Sequence, residues 1–538
     1  MAAALCSLPH WAAIWRNGGD YTPFSVSPAV SAIVFDETHA YAPPARRFFV
    51  TGSLTAEVDN YENRGRQAAI PVIPPVILGA MARVSGSLER AFIAADFVFP
   101  ALLFVLLFAL GDGLNLSWRL LVAWSTLIVS FGILNCFWLG EDALIAPLEF
   151  TRTPQPELSF LVVLAAAAMF ARSIEEKGRW KSMLAAGLLS GAVVYCYYFY
   201  TIAWGAGLFF AFVLGLLWRR RLLWTHSLTT LAIMAVLGVP YVLAGLHSPG
   251  QADLLGRVGV FTHDLRVIPL LLALFAAALT WYLGRTRLAP LDLVLMLLVV
   301  GALAGMNIQL LTGYETQPWH FWKRLAVPAA FFLVSATIAR RVQRMRHSQF
   351  AAAVLLIALL ADTAARLSFA ALQTAPYQRS SDARISLLKW VDGHLPGKRV
   401  IGTVDPRLIL LIPAITIDYT YVPSGLRSLT PTEEIEQRYY QMACLLGKVP
   451  AEVESAVAVP NHLGRSTEVL YALGLNPGMF RGFVDGYRNA YARCQPTVYR
   501  LDYVIVSSDD EQRAVQRQFA NTRELYRNAH FRVIDLAR

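Results

Sequence analysis

Long apolar runs dominate the middle of the chain. Ten of them come close to the length of about 20 mainly apolar residues that a helix needs to cross a bilayer. They cover residues 91–110, 118–138, 158–172, 182–199, 201–218, 223–245, 267–284, 290–310, 324–339 and 349–371. The third and the ninth are short, and we expect these two helices to extend into their flanks. The pattern predicts an α-helical polytopic membrane protein with about ten or eleven spanning helices.

A shorter apolar run lies at the start of the chain, from Ala2 to Trp15. It is too short to cross a bilayer alone, and it lacks the basic start of a signal peptide. We interpret it as the second half of a spanning helix whose beginning is missing from the sequence. The predicted transmembrane domain then covers residues 1–372, with a first outer loop at 16–90, and a soluble domain covers 373–538.

Charged residues are scarce and lie mostly outside the apolar runs. Of the 538 residues, 56% are hydrophobic and 16% are charged, whereas roughly 25% are charged in an average soluble domain. The net charge of +10 comes from short clusters between the runs rather than from one patch or stripe. It therefore does not indicate a nucleic-acid partner.

The distribution of Lys and Arg between alternate loops predicts the orientation. These residues are frequent in one set of loops, such as 172–181 and 340–346, and scarce in the other set. Because basic loops stay in the cytoplasm, the second set and the tail lie on the opposite side. This outer set comprises the loops at 16–90, 139–157, 246–266 and 310–323. We expect a multi-pass protein of the bacterial inner membrane, surrounded by membrane lipids, with an extracytoplasmic C-terminal domain.

The tail mixes strand-like and helix-like patterns, which predicts an α/β or α+β domain. The strand-like runs are Lys398–Val404 and Asp502–Ser507, and the helical ones are Thr432–Leu446 and Glu511–Arg527. The five cysteines show no CxxC or metal-ligand spacing. Cys444 and Cys494 both lie in the tail, where they would be either a disulfide in an oxidising compartment or two separate thiols.

The first outer loop carries a concentrated polar motif. Asp36 and Glu37 are adjacent, and Tyr41 and Arg46 follow within ten residues. A carboxylate near a low-dielectric boundary can have a raised pKa and act as a general base. The alternative is a solvated loop in which Asp36 caps the following helix.

This motif resembles the first outer loop of the GT-C glycosyltransferases. The acidic pair, the tyrosine that follows and an Ala-Arg step carry the resemblance, together with the apolar stretch Ile70–Pro75, the many helices and an outer soluble domain. These multi-pass enzymes, such as protein mannosyltransferases and lipid A aminoarabinose transferases, use polyprenyl-phosphate-linked sugars. The resemblance implies that Asp36 is the catalytic base with Glu37 as the neighbouring acid, that Tyr41 contacts the substrate and that Arg46 binds the donor phosphate.

A second polar motif joins two spans on the outer side. His320, Lys323 and Arg324 are spaced i, i+3 and i+4, so they would share one face of a helix. Three cationic side chains at headgroup depth would suit a phosphate-binding site, with Tyr314 and Gln317 as substrate contacts. The alternatives are an interfacial belt for the aromatic residues and snorkelling for the basic ones.

Two further segments could contribute to the same chemistry. Arg152 is the only basic residue of its outer loop, which makes it a second phosphate candidate or an ion-pair partner of Glu149 or Glu157. The aromatic run Tyr195–Tyr200 fits an interfacial belt or a platform for a sugar ring. Whether a divalent cation takes part stays open, although two adjacent carboxylates could hold one.

The leading hypothesis is an outward-facing glycosyltransferase that moves a sugar from a polyprenyl-phosphate carrier to an acceptor glycan, lipid or protein. A polysaccharide polymerase or ligase of the cell envelope is one alternative. A transporter is another, but the spans carry few ionisable residues and no paired broken helices. A non-enzymatic scaffold is the third, and it would be indifferent to changes at Asp36.

Overall fold

The structure is a computed structural model that forms two compact units. It describes residues 2–24, 37–54, 57–66, 70–139, 154–175, 180–246, 250–267, 289–458, 468–475, 477–494 and 498–536. The helical unit comprises Met1–Trp11, Ile93–Leu243 and Gly259–Ala371, and the sheet unit comprises Ala12–Phe92, Ala244–Val258 and Leu372–Arg538.

Helices dominate the chain as far as residue 374. They are α1 (Ala2–Cys6), α2 (Leu8–Arg16), α3 (Glu37–Thr51), α4 (Ile73–Ser85), α5 (Leu88–Leu110), α6 (Leu116–Leu139), α7 (Glu157–Glu175), α8 (Trp180–Cys196), α9 (Tyr198–Leu217), α10 (Arg221–Leu246), α11 (Gln251–Val258), α12 (Pro290–Met306), α13 (Gln309–Thr312), α14 (Pro318–Phe321), α15 (Val327–Val342) and α16 (Ser348–Thr374). A short hairpin of β1 (Gly259–Phe261) and β2 (Tyr314–Thr316) and a π-helical segment (Trp322–Ala326) interrupt this series.

Helices and strands alternate after residue 374. The helices are α17 (Ala383–His394), α18 (Pro406–Ile415), α19 (Thr432–Leu445), α20 (Pro450–Ala458), α21 (Glu468–Leu473), α22 (Phe480–Tyr491) and α23 (Asp509–Gln518), with short 3-10 turns at Ala375–Tyr377 and Pro477–Met479. The strands are β3 (Val400–Gly402), β4 (Tyr419–Thr420), β5 (Tyr503–Val506), β6 (Arg523–Arg527) and β7 (Arg532–Asp535).

The predicted membrane class is confirmed. Within the described residues, seven helices are long and apolar enough to cross a membrane. Nine of the ten predicted spans coincide with described helices, and the tenth, 267–284, lies almost wholly outside the described residues. The two short spans do extend into their flanks, to Glu157–Glu175 and to Trp322–Val342.

Small residues let the membrane helices approach closely. A Cβ on Gly301 of α12 would lie 2.0 Å from the carbonyl oxygen of Ala203 and 2.6 Å from the nitrogen of Gly207, both in α9. The two backbones therefore touch, as is typical of helix pairs that associate in lipid, where dispersion replaces the hydrophobic effect. This contact fixes α12 beside α9, and the residues at the ends of these helices form part of the site described below.

The sheet unit is built on a five-stranded mixed sheet with the strand order β4-β3-β5-β7-β6. Strand β3 pairs in parallel with β4 and with β5, whereas β5–β7 and β7–β6 are antiparallel. The parallel strands are buried along their whole length, as expected where helices cover both faces. The predicted mixture of strands and helices is confirmed for β3, β5 and α19.

One predicted helix of the tail is wrong in its second half. The pattern of Glu511–Arg527 predicts a single helix, but α23 ends at Gln518 and Arg523–Arg527 forms β6. β6 lies at the edge of the sheet and pairs only with β7. Its terminal residues Arg523 and Arg527 are exposed, and its conformation is set by pairing with a strand further along the chain.

Part of the first outer loop belongs to the sheet unit, whereas the sequence assigns everything before residue 373 to the membrane domain. The carbonyl of Asp59 accepts a hydrogen bond of 3.0 Å from the amide of Thr420 in β4, so the loop lies along the edge of the sheet. The Asp59 carboxylate forms two 2.8 Å bonds with the Arg427 guanidinium, and both side chains are fully buried. In the same unit Cys444 and Cys494 form a disulfide.

Candidate functional site

A polar cluster of the helical unit is centred on Tyr197. This residue separates α8 from α9 and has an extended backbone, with φ −162° and ψ 117°. Its hydroxyl lies 2.5 Å from Nδ1 of His320 and accepts a hydrogen bond of 2.5 Å from Nη1 of Arg324. Tyr197 thus joins two residues that the sequence selects as phosphate-binding candidates.

Local backbone geometry holds Arg324 in this cluster. Arg324 lies in the π-helical segment, where the amide of Val327 bonds to the carbonyl of Trp322, five residues earlier. Pro328 has no N–H, so the carbonyl of Arg324 cannot receive the usual helical bond from that position. The hydroxyl of Tyr200 donates to this carbonyl instead. Single π-turns inside helices are frequent at functional sites.

Packing fixes His320 from the other side. A Cβ on Gly305 would lie 2.4 Å from the ring of Phe321, so only glycine leaves room for this ring against α12. The His320 ring is 4.3 Å from the Phe199 ring between centroids and nearly parallel to that of Tyr197. His320 therefore sits at a defined position at the entrance to α15.

Arg324 brings a buried positive charge to this cluster. Arg324 is only 5% exposed. A guanidinium has five N–H donors and keeps its charge even when buried. The cluster therefore places a fixed positive charge beside an imidazole.

A hairpin precedes this cluster in the chain. Tyr314 pairs with Phe261 across β1 and β2, and a Cβ on Gly259 would lie 2.3 Å from the Tyr314 hydroxyl. Arg266 holds the buried Glu315 with two bonds of 2.6 Å, and this hydrogen bonding raises the pKa of Arg266. Burial raises the pKa of Tyr314 to about 12. The loop before His320 is therefore a constrained structure.

The remaining members of the second motif lie in the same stretch. Lys323 is half-buried within the π-helical segment, Tyr314 is half-buried in β2, and Gln317 is exposed at the start of α14. The structure thus brings His320 and Arg324 together on one phenol, and it places the other three residues along the connecting segment.

The first-loop candidates are described only in part. Asp36 lies outside the described residues, and for Glu37 the structure describes only the backbone, as the first residue of α3. Tyr41 is buried in the sheet unit. Arg46 forms an ion pair of 2.5 Å with Asp392. Arg152 also lies outside the described residues.

A cavity of 280 Å³ lies beside Arg46 in the sheet unit, lined also by Asp392 and Asp418. Burial raises the pKa of Asp418 to about 6. The neighbouring Arg47 donates a 3.1 Å hydrogen bond to the hydroxyl of Tyr419. The cationic end of α3 is therefore partly neutralised by carboxylates of the tail. Across the described residues, no group of three or more His, Cys, Asp or Glu side chains is arranged to hold a metal ion.

Comparison with known proteins gives only a distant structural likeness. No family model matches the sequence, and no curated protein does. Solved structures with a similar arrangement include ArnT from Cupriavidus metallidurans bound to undecaprenyl phosphate, at 13% identity and a TM-score of 0.43, with 100% of this chain and 99% of that chain covered. The apo state of the same ArnT gives 14% identity and a TM-score of 0.48 over 94% of each chain. The Archaeoglobus fulgidus oligosaccharyltransferase complex with Zn and sulfate gives 9% identity and a TM-score of 0.45, with 94% of this chain and 68% of that chain covered.

Sequence reasoning missed the central residue of the cluster. In the sequence Tyr197 is only one of five aromatic residues between Tyr195 and Tyr200, and nothing in that run distinguishes it from its neighbours. Pro328 was the available signal for the Arg324 carbonyl, since a proline four residues after a buried basic residue leaves that residue's carbonyl without its helical donor. The Arg266–Glu315 pair was missed because its partners are 49 positions apart.

Proposed function

We propose that the chain is an integral membrane glycosyltransferase of the GT-C type. It would move a sugar from a polyprenyl-phosphate donor to a glycan, lipid or protein acceptor outside the cytoplasm. The observation that carries the proposal is the Tyr197–His320–Arg324 cluster, a buried guanidinium and an imidazole held on one phenol at the end of spanning helices. The first-loop motif with Asp36 supports it from the sequence.

The proposed reaction is a single displacement. The acceptor oxygen forms a bond to the anomeric carbon while the bond from that carbon to the phosphate oxygen breaks. The electron pair stays on the leaving phosphate, and the acceptor proton passes to the carboxylate of Asp36. Glu37, as the neighbouring acid, would keep the local potential negative and so favour the uptake of that proton.

The main energetic demand is the negative charge that develops on the leaving phosphate. Donors already held in place stabilise such charge without reorganisation, and they act more strongly where water is excluded. Arg324 would supply a charged fork, His320 an imidazole and Lys323 a mobile ammonium. In this proposal Arg46 and Arg152 are additional phosphate contacts, and Tyr41, Tyr314 and Gln317 contact the sugar or the acceptor.

The proposed location of the reaction is the extracytoplasmic face. The scarcity of basic residues in the outer loops supports this orientation. The disulfide between Cys444 and Cys494 supports it independently, because disulfides persist mainly in oxidising compartments. A reporter that is active only outside the cytoplasm, fused after residue 375, should therefore be active, whereas cytoplasmic activity would overturn the orientation.

Sugar transfer by the purified protein is the direct test. The wild-type chain in detergent is given a panel of radiolabelled polyprenyl-phosphate sugars and compared with Asp36→Asn. Asparagine keeps the shape and removes the base, so we expect turnover to fall by at least about 100-fold. Asp112→Asn is the matched control, because that carboxylate is 91% exposed and its replacement should leave turnover unchanged. No transfer from any donor would favour the polymerase, ligase or transporter alternatives.

The phosphate-binding cluster is tested separately. Arg324→Gln should lower kcat/KM for the donor by roughly 10- to 100-fold, which corresponds to losing a charge-assisted hydrogen bond. Arg340→Gln is the control, because Arg340 pairs with Asp292 in the same unit and has no proposed donor contact. Tyr197→Phe keeps the ring and releases both partners, so it should weaken donor use with little effect on folding. Equal donor dependence in all four proteins would leave a structural role for Arg324.

A further inference from the structure

The sheet unit contains a polar cavity that the proposed transferase reaction does not use. It has a volume of 230 Å³ and lies beside the loops that follow β3 and β5. These two parallel strands are neighbours, but the chain leaves β3 towards β4, on the side away from β5. Such a reversal at the carboxyl ends of parallel strands opens a crevice in which ligands commonly bind. The cavity is therefore where the topology of this sheet predicts a site.

One largely buried polar side chain lines the cavity without a protein partner for its hydroxyl. Tyr439 of α19 is only 2% exposed, and its hydroxyl has no hydrogen bond to any residue that the structure describes. Burial, together with the nearby Asp405, raises the pKa of Tyr439, so the hydroxyl remains protonated. Because Tyr439 lines the cavity, its hydroxyl can donate to and accept from a ligand bound there.

The rest of the lining does not suit an anion. The carboxylate of Asp405 already accepts the first amides of α18, from Arg407 and Leu408. At α23 the carboxylate of Glu511 accepts the amide of Ser507 and an ion pair of 2.7 Å from Lys448. The N-terminus of α18 is thus occupied by a carboxylate of the protein, and that of α23 is capped by the hydroxyl of Ser508, which accepts the amide of Glu511.

What remains is a set of acceptors next to apolar walls. Asp405, Glu452 and Glu511 line the cavity against the single ammonium of Lys448, and Arg384 balances Asp405 from outside the lining. A carboxylate has about four lone-pair sites, so each can accept further hydroxyl donors. Phe531 and Val453 supply apolar surface. Hydroxyl donors on one side and C–H surface on the other describe a sugar ring, and the volume is below the roughly 300–1,000 Å³ of sites for drug-sized ligands.

We propose that this cavity binds a single saccharide unit, neutral or amino-substituted, through hydrogen bonds to Tyr439 and to the lining carboxylates. The proposal depends on the sheet unit alone and does not require the transferase activity. It gives the C-terminal part of the chain a binding function of its own.

Saturation-transfer NMR on the full chain in nanodiscs tests the proposal. The probes are the methyl glycosides of glucose, galactose and glucosamine, with glucose 6-phosphate and Nα-acetyl-lysine amide as competing chemistries. We expect transfer to at least one methyl glycoside and none to the phosphate. Tyr439→Phe should weaken this binding by roughly three- to tenfold, the effect of losing one hydrogen bond.

Two further variants complete the test. Tyr440→Phe is the matched control, because the adjacent tyrosine donates to the carbonyl of Phe483 and lines a different cavity; it should bind like wild type. Glu452→Gln, at an exposed position, should weaken binding of the amino sugar most. The proposal is overturned if no glycoside binds, if Tyr439→Phe and Tyr440→Phe behave alike, or if the phosphate or the lysine derivative binds in preference to the sugars.

Discussion

The buried pair of Asp59 and Arg427 offers a quantitative test of how the first outer loop is held. The two residues are 368 positions apart, and their side chains are 0% and 1% exposed. The Arg427 guanidinium also donates a 3.1 Å bond to the carbonyl of Leu410. Changing Asp59 to asparagine keeps the size and one acceptor oxygen, but it removes the carboxylate charge that faces the buried guanidinium.

The expected cost is large because the remaining charge has no access to water. Removing one partner of a buried ion pair typically costs about 3–5 kcal/mol. Since Leu410 and the asparagine oxygen still accept from Arg427, we expect the lower end, about 3 kcal/mol. For a domain of roughly 150–250 residues, the midpoint of thermal unfolding shifts by about 2–4 °C for each kcal/mol of stability lost. The midpoint of the sheet unit should therefore fall by roughly 6–12 °C.

Two measurements test this prediction. The first is thermal unfolding of the full chain in detergent, and the second is the rate of proteolysis within residues 57–66. Asp510→Asn is the control, because its pair with Arg513 is exposed on both sides and should contribute less than about 1 kcal/mol. The double variant Asp59→Leu with Arg427→Met should recover much of the loss, since an apolar pair can replace a buried ion pair. If Asp59→Asn behaves like Asp510→Asn, the loop is not held against the tail in this way.

Three further predictions concern the two units. Burial raises the pKa of Glu57 from 4.5 to about 7, so its contribution to stability is fully present below pH 4.5 and is lost as the pH rises through 7; Glu57→Gln should flatten this part of a stability–pH profile. Reducing the Cys444–Cys494 disulfide, which closes a separation of 50 residues, should destabilise the tail by about 4 kcal/mol; an unchanged midpoint with reductant would contradict the pairing. Arg266→Lys replaces a bidentate pair by a point contact, and it should raise proteolysis of the hairpin without changing the unfolding of the sheet unit.

The membrane helices could be predicted because apolar length alone determines them. A run of about 20 apolar residues has few alternatives to a spanning helix, since every backbone group in lipid must be bonded internally. The residues at which these helices begin and end were harder to predict. The sequence places the break between α8 and α9 at residue 200, whereas it lies at Tyr197, because consecutive aromatic residues give no sign of where the helix ends.

The secondary structure of the tail could be predicted where a segment is buried, and it could not be predicted where a strand forms only by pairing with a distant one. β3 and β5 are continuous apolar runs, and such runs indicate buried parallel strands. β6 consists of Arg-Glu-Leu-Tyr-Arg and reads as part of a charged helix until β7 is present to pair with it. The bond between Asp59 and Thr420 and the burial of Arg427 likewise depend on residues several hundred positions away.

The cluster at Tyr197 combines both situations. The spacing of His320 and Arg324 was sufficient to predict that they would lie together, because it is a local property of one helix. Their common partner, Tyr197, could not be predicted, because it lies more than 120 positions earlier and is brought to them by the packing of α9 against α12. Glycines at 207, 301 and 305 permit that packing, and Pro328 leaves the carbonyl that Tyr200 satisfies. The functional groups of the cluster can therefore be identified from local spacing, whereas its position in the fold depends on glycines that have no functional side chain.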